Sequence, residues 1–268
     1  MAPPRIIEPE ELAGAEPEGR LLVHVGDAAG YLQGHLPGAA LVEPRELVDG
    51  TPPATGRLPG RERLEALLSR IGFNSEMEVV VYDDEGGGWA GRMAWTLDAV
   101  GHHRWTYLNG GIHSWLAAGL PVETGPGLPV KPTRVSITID AEPIAELEDV
   151  MSALEDDDQV IWDVRSREEF LGLRSGSRRA GHIPGAVNLD WMDLKDPGRD
   201  LRLVEDIRSL LESSGVVPAK RIITHCQTHH RSGLSYMVAR LLGYPRICAY
   251  HGSWSEWGNR DDTPVTQP

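Results

Sequence analysis

The feature that most constrains the fold of this chain is an internal repeat. The hexapeptide Gly-His-Leu-Pro-Gly-Ala at 34–39 returns as Gly-His-Ile-Pro-Gly-Ala at 181–186. Both halves contain, in one order, an apolar run, this hexapeptide, a helical pattern, a second apolar run with its loop and helix, and a closing segment rich in glycine and tryptophan. The landmarks lie at 21–25, 34–39, 61–71, 78–82, 92–100 and 109–115 in the first half, and at 160–164, 181–186, 203–211, 221–224, 233–242 and 251–258 in the second. Such a repeat indicates a duplicated domain.

Apolar runs that alternate with helical patterns predict an α/β fold. We expect two tandem domains, each with a mainly parallel sheet and helices on both faces, and 268 residues are enough for both. Glycines and prolines indicate a linker, so we place the first domain at 1–124, the linker at 125–140 and the second domain at 141–268. The alternating sequence at 133–139 predicts a connecting strand.

A cysteine lies where the second half is best suited to chemistry. Cys226 follows the run 222–224, which predicts a buried strand, and precedes a helical pattern. Ligands of such folds bind at the carboxyl ends of strands, and a helix N-terminus offers unpaired N–H groups and a positive dipole end. These conditions favour the thiolate, and Arg231 adds charge and planar donors. Because residues 226–232, the Cys226 loop, are polar, we expect Cys226 at the loop's edge rather than in apolar packing.

The first half has no thiol at the matching position. Alignment of the runs 78–82 and 221–225 places Asp83 or Asp84 where Cys226 lies. The loop at 83–89 contains three acids, three glycines and Trp89, and a carboxylate cluster cannot perform thiol chemistry. The first domain is therefore predicted to be a non-catalytic partner packed on the second. Its glycines and Trp89 either line the cleft or serve only the flexibility of the loop.

The second half carries an additional basic segment at 173–179. Together with four other basic side chains it supplies local positive charge for an anion, or else it is a solvated loop. These side chains are Arg165, Arg167, His182 and Arg231.

The bulk properties exclude several classes of partner. A formal net charge of −14 argues against nonspecific nucleic-acid binding and against an anionic membrane surface. Two cysteines form no disulfide framework, and Cys248 lies in an apolar run typical of a buried strand. The sequence has neither a signal-peptide pattern nor an apolar run of membrane-span length, so we expect a cytoplasmic protein.

Taken together, these motifs resemble the tandem-domain rhodanese family of sulfurtransferases. The resemblance extends from about Ile6 to Val265 and is most similar to bacterial members with the loop Cys-Gln-Thr-His-His-Arg-Ser. It implies an inactive first domain and an active second one, with Cys226 as the catalytic residue. The implied substrate-binding residues are Gln227, Thr228, His229, His230, Arg231 and Ser232, and the implied supporting residues are Asp163, Arg165 and His182.

The resemblance also implies a reaction. The Cys226 thiolate takes the outer sulfur of thiosulfate, or of a similar anionic donor, and becomes a persulfide. A cyanide or thiol acceptor then takes the sulfur, and cyanide gives thiocyanate. The reaction needs no metal and no organic cofactor, and the implied protein is a monomer without nucleic-acid or membrane partners.

Departures from the family leave the donor and acceptor open. Many thiosulfate-specific members have two basic residues directly after the cysteine, and mercaptopyruvate-specific members have a small Gly/Ser loop; this chain has neither. A mercaptopyruvate sulfurtransferase and a persulfide carrier that serves a protein or thiol partner are therefore alternatives. Glu169 stands where animal members have a substrate-binding arginine. His229 and His230 either supply charge or an N–H donor near neutral pH or point to solvent.

Two other kinds of site use similar residues. Cysteine-dependent phosphatases have Cys-x5-Arg, whereas four residues separate Cys226 from Arg231 here, and the shorter loop suits a sulfur atom better than a phosphate. A metal site would use His225, Cys226, His229 and His230. No second Cys/His cluster with zinc spacing exists in the sequence, so no metal is expected.

Overall fold

The structure, a computed structural model, describes residues 4–267 and contains two parallel sheets of five strands each. The first sheet consists of β1 (Arg5–Ile7), β2 (Arg20–Val25), β3 (Ala40–Val42), β4 (Glu78–Asp83) and β5 (Trp105–Leu108). The second consists of β6 (Ile144–Ala145), β7 (Gln159–Asp163), β8 (Val187–Asn188), β11 (Arg221–His225) and β12 (Ile247–Tyr250), while β9 (Lys195–Asp196) and β10 (Arg202–Leu203) form a small antiparallel pair.

The two sheets have the same topology. Their strand orders are β1-β5-β4-β2-β3 and β6-β12-β11-β7-β8, so each strand of the first sheet has its counterpart in the second. All pairs within both sheets are parallel. The repeated sequence has therefore produced a repeated fold, and the predicted α/β class with tandem domains is confirmed.

Helices connect the strands and cover the sheets. They are α1 (Pro9–Ala13), α2 (Ala28–Gln33), α3 (Arg61–Arg70), α4 (Gly88–Ala99), α5 (Gly111–Ala117), α6 (Leu147–Ala153), α7 (Arg167–Phe170), α8 (Ile207–Ser213), α9 (Arg231–Leu241) and α10 (Ser253–Trp257). In α3 the apolar side chains at offsets of three and four, Leu64, Leu67 and Leu68, are buried, as the sequence pattern predicts. The described helices include none that is both long and apolar enough to cross a membrane.

The domains pack through the helices that follow the central strands. Helices α4 and α9 are almost entirely buried and lie against each other. Glycines allow their close approach, because a Cβ atom on Gly91 would lie 2.3 Å from the carbonyl carbon of Gly233. The Tyr236 hydroxyl also donates to Asp98 across the contact, at 2.8 Å. One large apolar cluster consequently contains side chains of both domains.

Two local predictions are wrong. Residues 133–139 form no strand, because their main chain bonds to helices: the Thr133 N–H donates to the carbonyl of Ser69 and the Ile137 N–H to the Glu65 carboxylate. The helix expected at 203–211 begins only at Ile207. Leu203 is instead part of β10, and its N–H donates to the Asn109 side chain of the first domain.

Candidate active site

Cys226 lies between the end of β11 and the start of α9, as predicted. It directly follows the last strand residue, and α9 begins five residues later at Arg231. The side chain is 1% exposed and belongs to the large apolar cluster. The expectation that Cys226 lies outside apolar packing is therefore wrong, because the core of the α4–α9 contact extends up to one side of the thiol.

The polar environment of the thiol outweighs its burial. Burial alone raises the pKa of Cys226, but three groups lower it: the charge of Arg231, hydrogen bonds from Ser232, and the charge of His230. The Ser232 hydroxyl donates to the sulfur at 3.5 Å. As a result, the pKa of the Cys226 thiol is lowered from its ordinary value, which increases the fraction of reactive thiolate.

Main-chain donors next to the thiol are unoccupied. Within residues 4–267, the N–H groups at positions 227–231 donate to no hydrogen bond. They precede the N-terminus of α9, where the helix dipole also favours negative charge. These donors are therefore available for an anionic group bound next to the sulfur.

His229 belongs to the interior of the site and not to its surface. It is completely buried, with a left-handed backbone (φ 54°), and its ring packs edge-on against Trp95 of α4 at 4.4 Å. Its Nδ1 lies 2.7 Å from the Ser232 hydroxyl, so a chain runs from His229 through Ser232 to Cys226. Burial and the charge of Arg92 hold the pKa of His229 well below its usual range. Of the two alternatives left open for His229, the structure excludes the one in which the ring points to solvent.

His230 contacts the first domain. Its Nε2 is hydrogen-bonded to the Glu85 carboxylate, and its ring stacks on Trp89 with 4.3 Å between centroids. Both partners belong to the loop at residues 83–89, the Asp83 loop. Trp89 and Glu85 thus contact the Cys226 loop directly, so the Asp83 loop does more than provide flexibility.

Arg231 is held by a residue to which the sequence assigned no role. Its guanidinium donates two hydrogen bonds to Glu169, at 2.6 and 2.9 Å. Burial raises the pKa of Glu169, but the bond to Arg231 overcomes this and lowers it to about 2. A capping box formed with Ser166 at the start of α7 fixes the carboxylate, and this Ser-x-x-Glu pattern is the one sequence signal for it.

The three supporting residues lie behind the loop. Asp163 accepts hydrogen bonds from Arg165, whose guanidinium also donates to the carbonyl of Gly181 at 2.9 Å. His182 stacks on Phe170 at 3.7 Å. These bonds join the end of β7 to the second hexapeptide. Asp163 neutralises the charge of Arg165, so this arginine is no free anion site.

Comparison with known proteins assigns both halves of the chain to one family. The rhodanese-like domain family matches residues 8–118 and 146–260. The chain belongs to this family. Thiosulfate sulfurtransferases of Pseudomonas aeruginosa and Azotobacter vinelandii are 48% and 47% identical over 98% of this chain and 97% of theirs. The sulfur carrier protein TtuD of Thermus thermophilus is 32% identical over 94% of this chain and 92% of its own. The solved structure of YnjE is 26% identical, with a TM-score of 0.88, over 98% of this chain and 68% of that one.

The closing segment of this rhodanese has a role that its repeat pattern did not reveal. The N–H of Trp254 donates to the carbonyl of Cys226 at 3.0 Å, and that of Ser255 donates to the carbonyl of Gln227 at 2.9 Å. The Cys226 N–H in turn donates to the Ser253 hydroxyl at 3.4 Å. The Gly/Trp segment therefore holds the base of the Cys226 loop in place.

The basic segment at 173–179 also contacts the Cys226 loop of this rhodanese. The Ser177 hydroxyl accepts a hydrogen bond from the Gln227 side chain at 3.0 Å. Arg178 is bound to Asp261, and Arg179 to the carbonyls of Trp257 and Thr263. Neither arginine stands free for an anion.

The histidines of the metal site considered from sequence have different partners in this rhodanese. His225 faces Asp163, with 3.7 Å between Nε2 and Oδ2. His229 is bonded to Ser232 and His230 to Glu85. The three rings thus have separate partners, and residues 4–267 contain no group of three or more potential ligands suited to a metal ion.

Proposed function

We propose that this rhodanese is a thiosulfate sulfurtransferase that carries the transferred sulfur as a persulfide on Cys226. The observation that carries the proposal is a thiol of lowered pKa at the N-terminus of α9, beside unoccupied main-chain donors. The names of the relatives at 47–48% identity support thiosulfate as the donor.

The first half of the reaction is a displacement at sulfur. The Cys226 thiolate attacks the outer sulfur of thiosulfate and forms an S–S bond, while the S–S bond of thiosulfate breaks and sulfite leaves with the electron pair. The persulfide keeps the negative charge on its terminal sulfur. The N–H groups at 227–231 and the charge of Arg231 stabilise that atom.

The second half regenerates the thiolate. Cyanide attacks the terminal sulfur, the persulfide bond breaks toward Cys226, and thiocyanate leaves. Charge and electrons balance in both halves, so the reaction requires no metal and no organic cofactor. Because Cys226 is 1% exposed, a small acceptor such as cyanide or a low-molecular-weight thiol suits the site better than a folded protein.

The remaining assignments follow from this reaction. Arg231, His230 and Ser232 act on the sulfur by charge and hydrogen bonding, and Gln227, Thr228 and His229 supply the main chain that surrounds it. Asp163 orients Arg165, which packs on the ring of Trp254, and the N–H of Trp254 donates to the carbonyl of Cys226. His182 bonds to the carbonyl of Phe170 and takes a supporting role farther from the loop. We propose a cytoplasmic monomer.

Thiosulfate and cyanide provide the test of the proposed function. We expect thiocyanate from the wild-type protein and none from Cys226→Ser, while Cys248→Ala, at the other buried cysteine, retains activity. 3-Mercaptopyruvate in place of thiosulfate tests the alternative donor, for which we expect a lower kcat/KM. An aryl phosphate tests the phosphatase alternative. Phosphate release without thiocyanate would contradict the proposal.

A further inference from the structure

Arg92 is a buried cation of the domain that lacks the thiol. It lies in α4, is 0% exposed, and has no carboxylate within salt-bridge distance among residues 4–267. Its guanidinium instead donates to main-chain carbonyls: to Leu47 and Gly56 of its own domain at 2.5 and 2.7 Å, and to His229 of the Cys226 loop at 3.3 Å. An unpaired buried charge is costly, so its retention needs a reason beyond packing.

The contact with His229 reaches the thiol in few steps. The left-handed backbone of His229 places its carbonyl on Arg92 and its ring on Ser232. Ser232 in turn donates to the Cys226 sulfur. Gly56, whose carbonyl also accepts a hydrogen bond from Arg92, lies directly against the Cys226 loop. A Cβ atom at Gly56 would lie 2.0 Å from the carbonyl oxygen of Thr228.

The charge of Arg92 also determines what His229 can do. The ring is faced by Arg92, His230 and His251, and burial together with these charges keeps it neutral. A neutral ring protonated at Nδ1 donates to the Ser232 oxygen, which leaves the hydroxyl proton for the sulfur. Burial lowers the pKa of Arg92 to about 9, and the nearby Cys226 sulfur partly opposes this shift, as expected where the guanidinium and the sulfur attract each other.

We propose that Arg92 is a positioning residue of the active site: it fixes the His229 carbonyl so that the chain from His229 through Ser232 donates to the Cys226 sulfur. The first domain therefore contributes a side chain on which the reactivity of the second depends. The proposal rests on the proposed function in that Cys226 is the reacting thiol.

Substitutions at Arg92 separate its charge from its hydrogen bonds. Arg92→Gln and Arg92→Met remove the charge, and Gln keeps part of the hydrogen bonding. Arg92→Lys keeps the charge but not the planar donors. Tyr236→Phe is the matched control, because it removes another hydrogen bond of the same α4–α9 contact without touching the Cys226 loop.

The first readout is the rate at which iodoacetamide alkylates Cys226 as a function of pH, followed by peptide mass. We expect the inflection to move upward by about half a pH unit or more in Arg92→Gln and Arg92→Met. Arg92→Lys should move it less, and Tyr236→Phe should leave it in place. A purely structural role would change the unfolding midpoint without moving this inflection.

The second readout is steady-state sulfur transfer from thiosulfate to cyanide. We expect kcat to fall about tenfold in the neutral variants and less in Arg92→Lys. A neutral variant that folds and has the wild-type kcat and alkylation profile would overturn the proposal. If neither neutral variant folds, wild-type values in Arg92→Lys would overturn it. Alkylation requires no thiosulfate, so its outcome is distinguishable from a failure of the proposed function.

Discussion

The Asp83 loop and the Cys226 loop occupy the same place in their domains and surround different side chains, a carboxyl group in the first and a thiol in the second. Each begins directly at the carboxyl end of a central strand, and each is followed by a helix that starts five residues after Asp83 or Cys226. Each also contains a residue with a left-handed backbone, Gly86 (φ 83°) in one and His229 (φ 54°) in the other. The local architecture is therefore shared.

In the first domain the loop surrounds the side chain of Asp83. The Asp83 carboxylate accepts hydrogen bonds from the N–H groups of Glu85, Gly86, Gly87 and Ala90, at 2.8 to 3.3 Å. In the second domain the N–H groups at 227–231 have no partner within residues 4–267. The comparison teaches that the same loop position has its main-chain donors bound to an internal carboxylate in the first domain, whereas those of the second domain have no partner among the described residues.

The charged groups near Asp83 differ from those near Cys226. Burial and the nearby Glu85 raise the pKa of Asp83 to about 6. The hydrogen bonds that its carboxylate accepts from main-chain N–H groups oppose this rise but do not cancel it. Burial has the same effect on Cys226, but Arg231 and His230 reverse it. The position that corresponds to Arg231 in the first domain is Gly88, which brings no charge.

The largest effect is expected when the side chains of Asp83 and Cys226 are exchanged between the two loops. Cys226→Asp places the first domain's carboxylate in the second domain's loop, where free N–H groups can donate hydrogen bonds to it. We expect a folded protein with no detectable thiocyanate formation, measured alongside circular dichroism. Asp83→Cys in a Cys226→Ser background is the reciprocal variant, and we expect it to be inactive because no arginine faces that thiol. Turnover by either protein would contradict the account.

Removal of the Asp83 carboxylate tests how far the stability of the first loop depends on it. In Asp83→Ala four N–H groups lose their acceptor inside the protein, and we expect the free energy of unfolding to fall by about 3 kcal/mol. Denaturant unfolding measures this value. Asp84→Ala serves as the control, since the Asp84 side chain accepts none of these four bonds. Equal losses in both variants would show that the loop does not depend on its internal anion.

The charge that distinguishes the second loop is tested by Arg231→Ala. We expect the KM for thiosulfate to rise about tenfold, and the pKa of the Cys226 thiol to rise as well, because Arg231 is the largest influence that lowers it. Arg178→Ala is the matched control, because that arginine is also paired with a carboxylate, Asp261, but is not among the groups that lower the pKa of Cys226. Steady-state kinetics on both variants decides the matter, and an unchanged KM in Arg231→Ala would exclude the proposed role.

The smallest expected effect concerns the partner of Arg231. The pKa of Glu169 is depressed in the folded protein, so the carboxylate contributes stability that is present above about pH 4.5 and is lost as the pH falls toward about 2. In Glu169→Gln we expect a shallower loss of stability over this acid range. Thermal unfolding of both proteins is measured over an assay range of about pH 5 to about pH 2.5. If the unfolding temperatures of wild type and Glu169→Gln fall in parallel over this range, the Glu169–Arg231 pair does not contribute the expected stability.

Much of this structure could be predicted because its signals are local or repeated. The strands beside Cys226 and Asp83, the helix of Leu64, Leu67 and Leu68, and the position of the thiol all followed from short patterns. The repeat then determined the topology, since the same pattern had to fold twice.

The remainder depends on contacts between segments far apart in the sequence. Arg92 reaches His229 and Glu85 reaches His230 only because α4 and α9 pack together. The burial of Cys226 has the same origin. The segment 133–139 alternates like a strand, yet its hydrogen-bond partners are a helix carbonyl and a side chain, which no local pattern reveals.

The mass of Cys226 after exposure to thiosulfate tests the central claim most directly. The account predicts that the tryptic peptide containing Cys226 gains the mass of one sulfur atom, that the peptide containing Cys248 does not, and that added cyanide removes the sulfur as an equal amount of thiocyanate. An unmodified Cys226 peptide in protein that forms thiocyanate, or sulfur carried on Cys248, would contradict it.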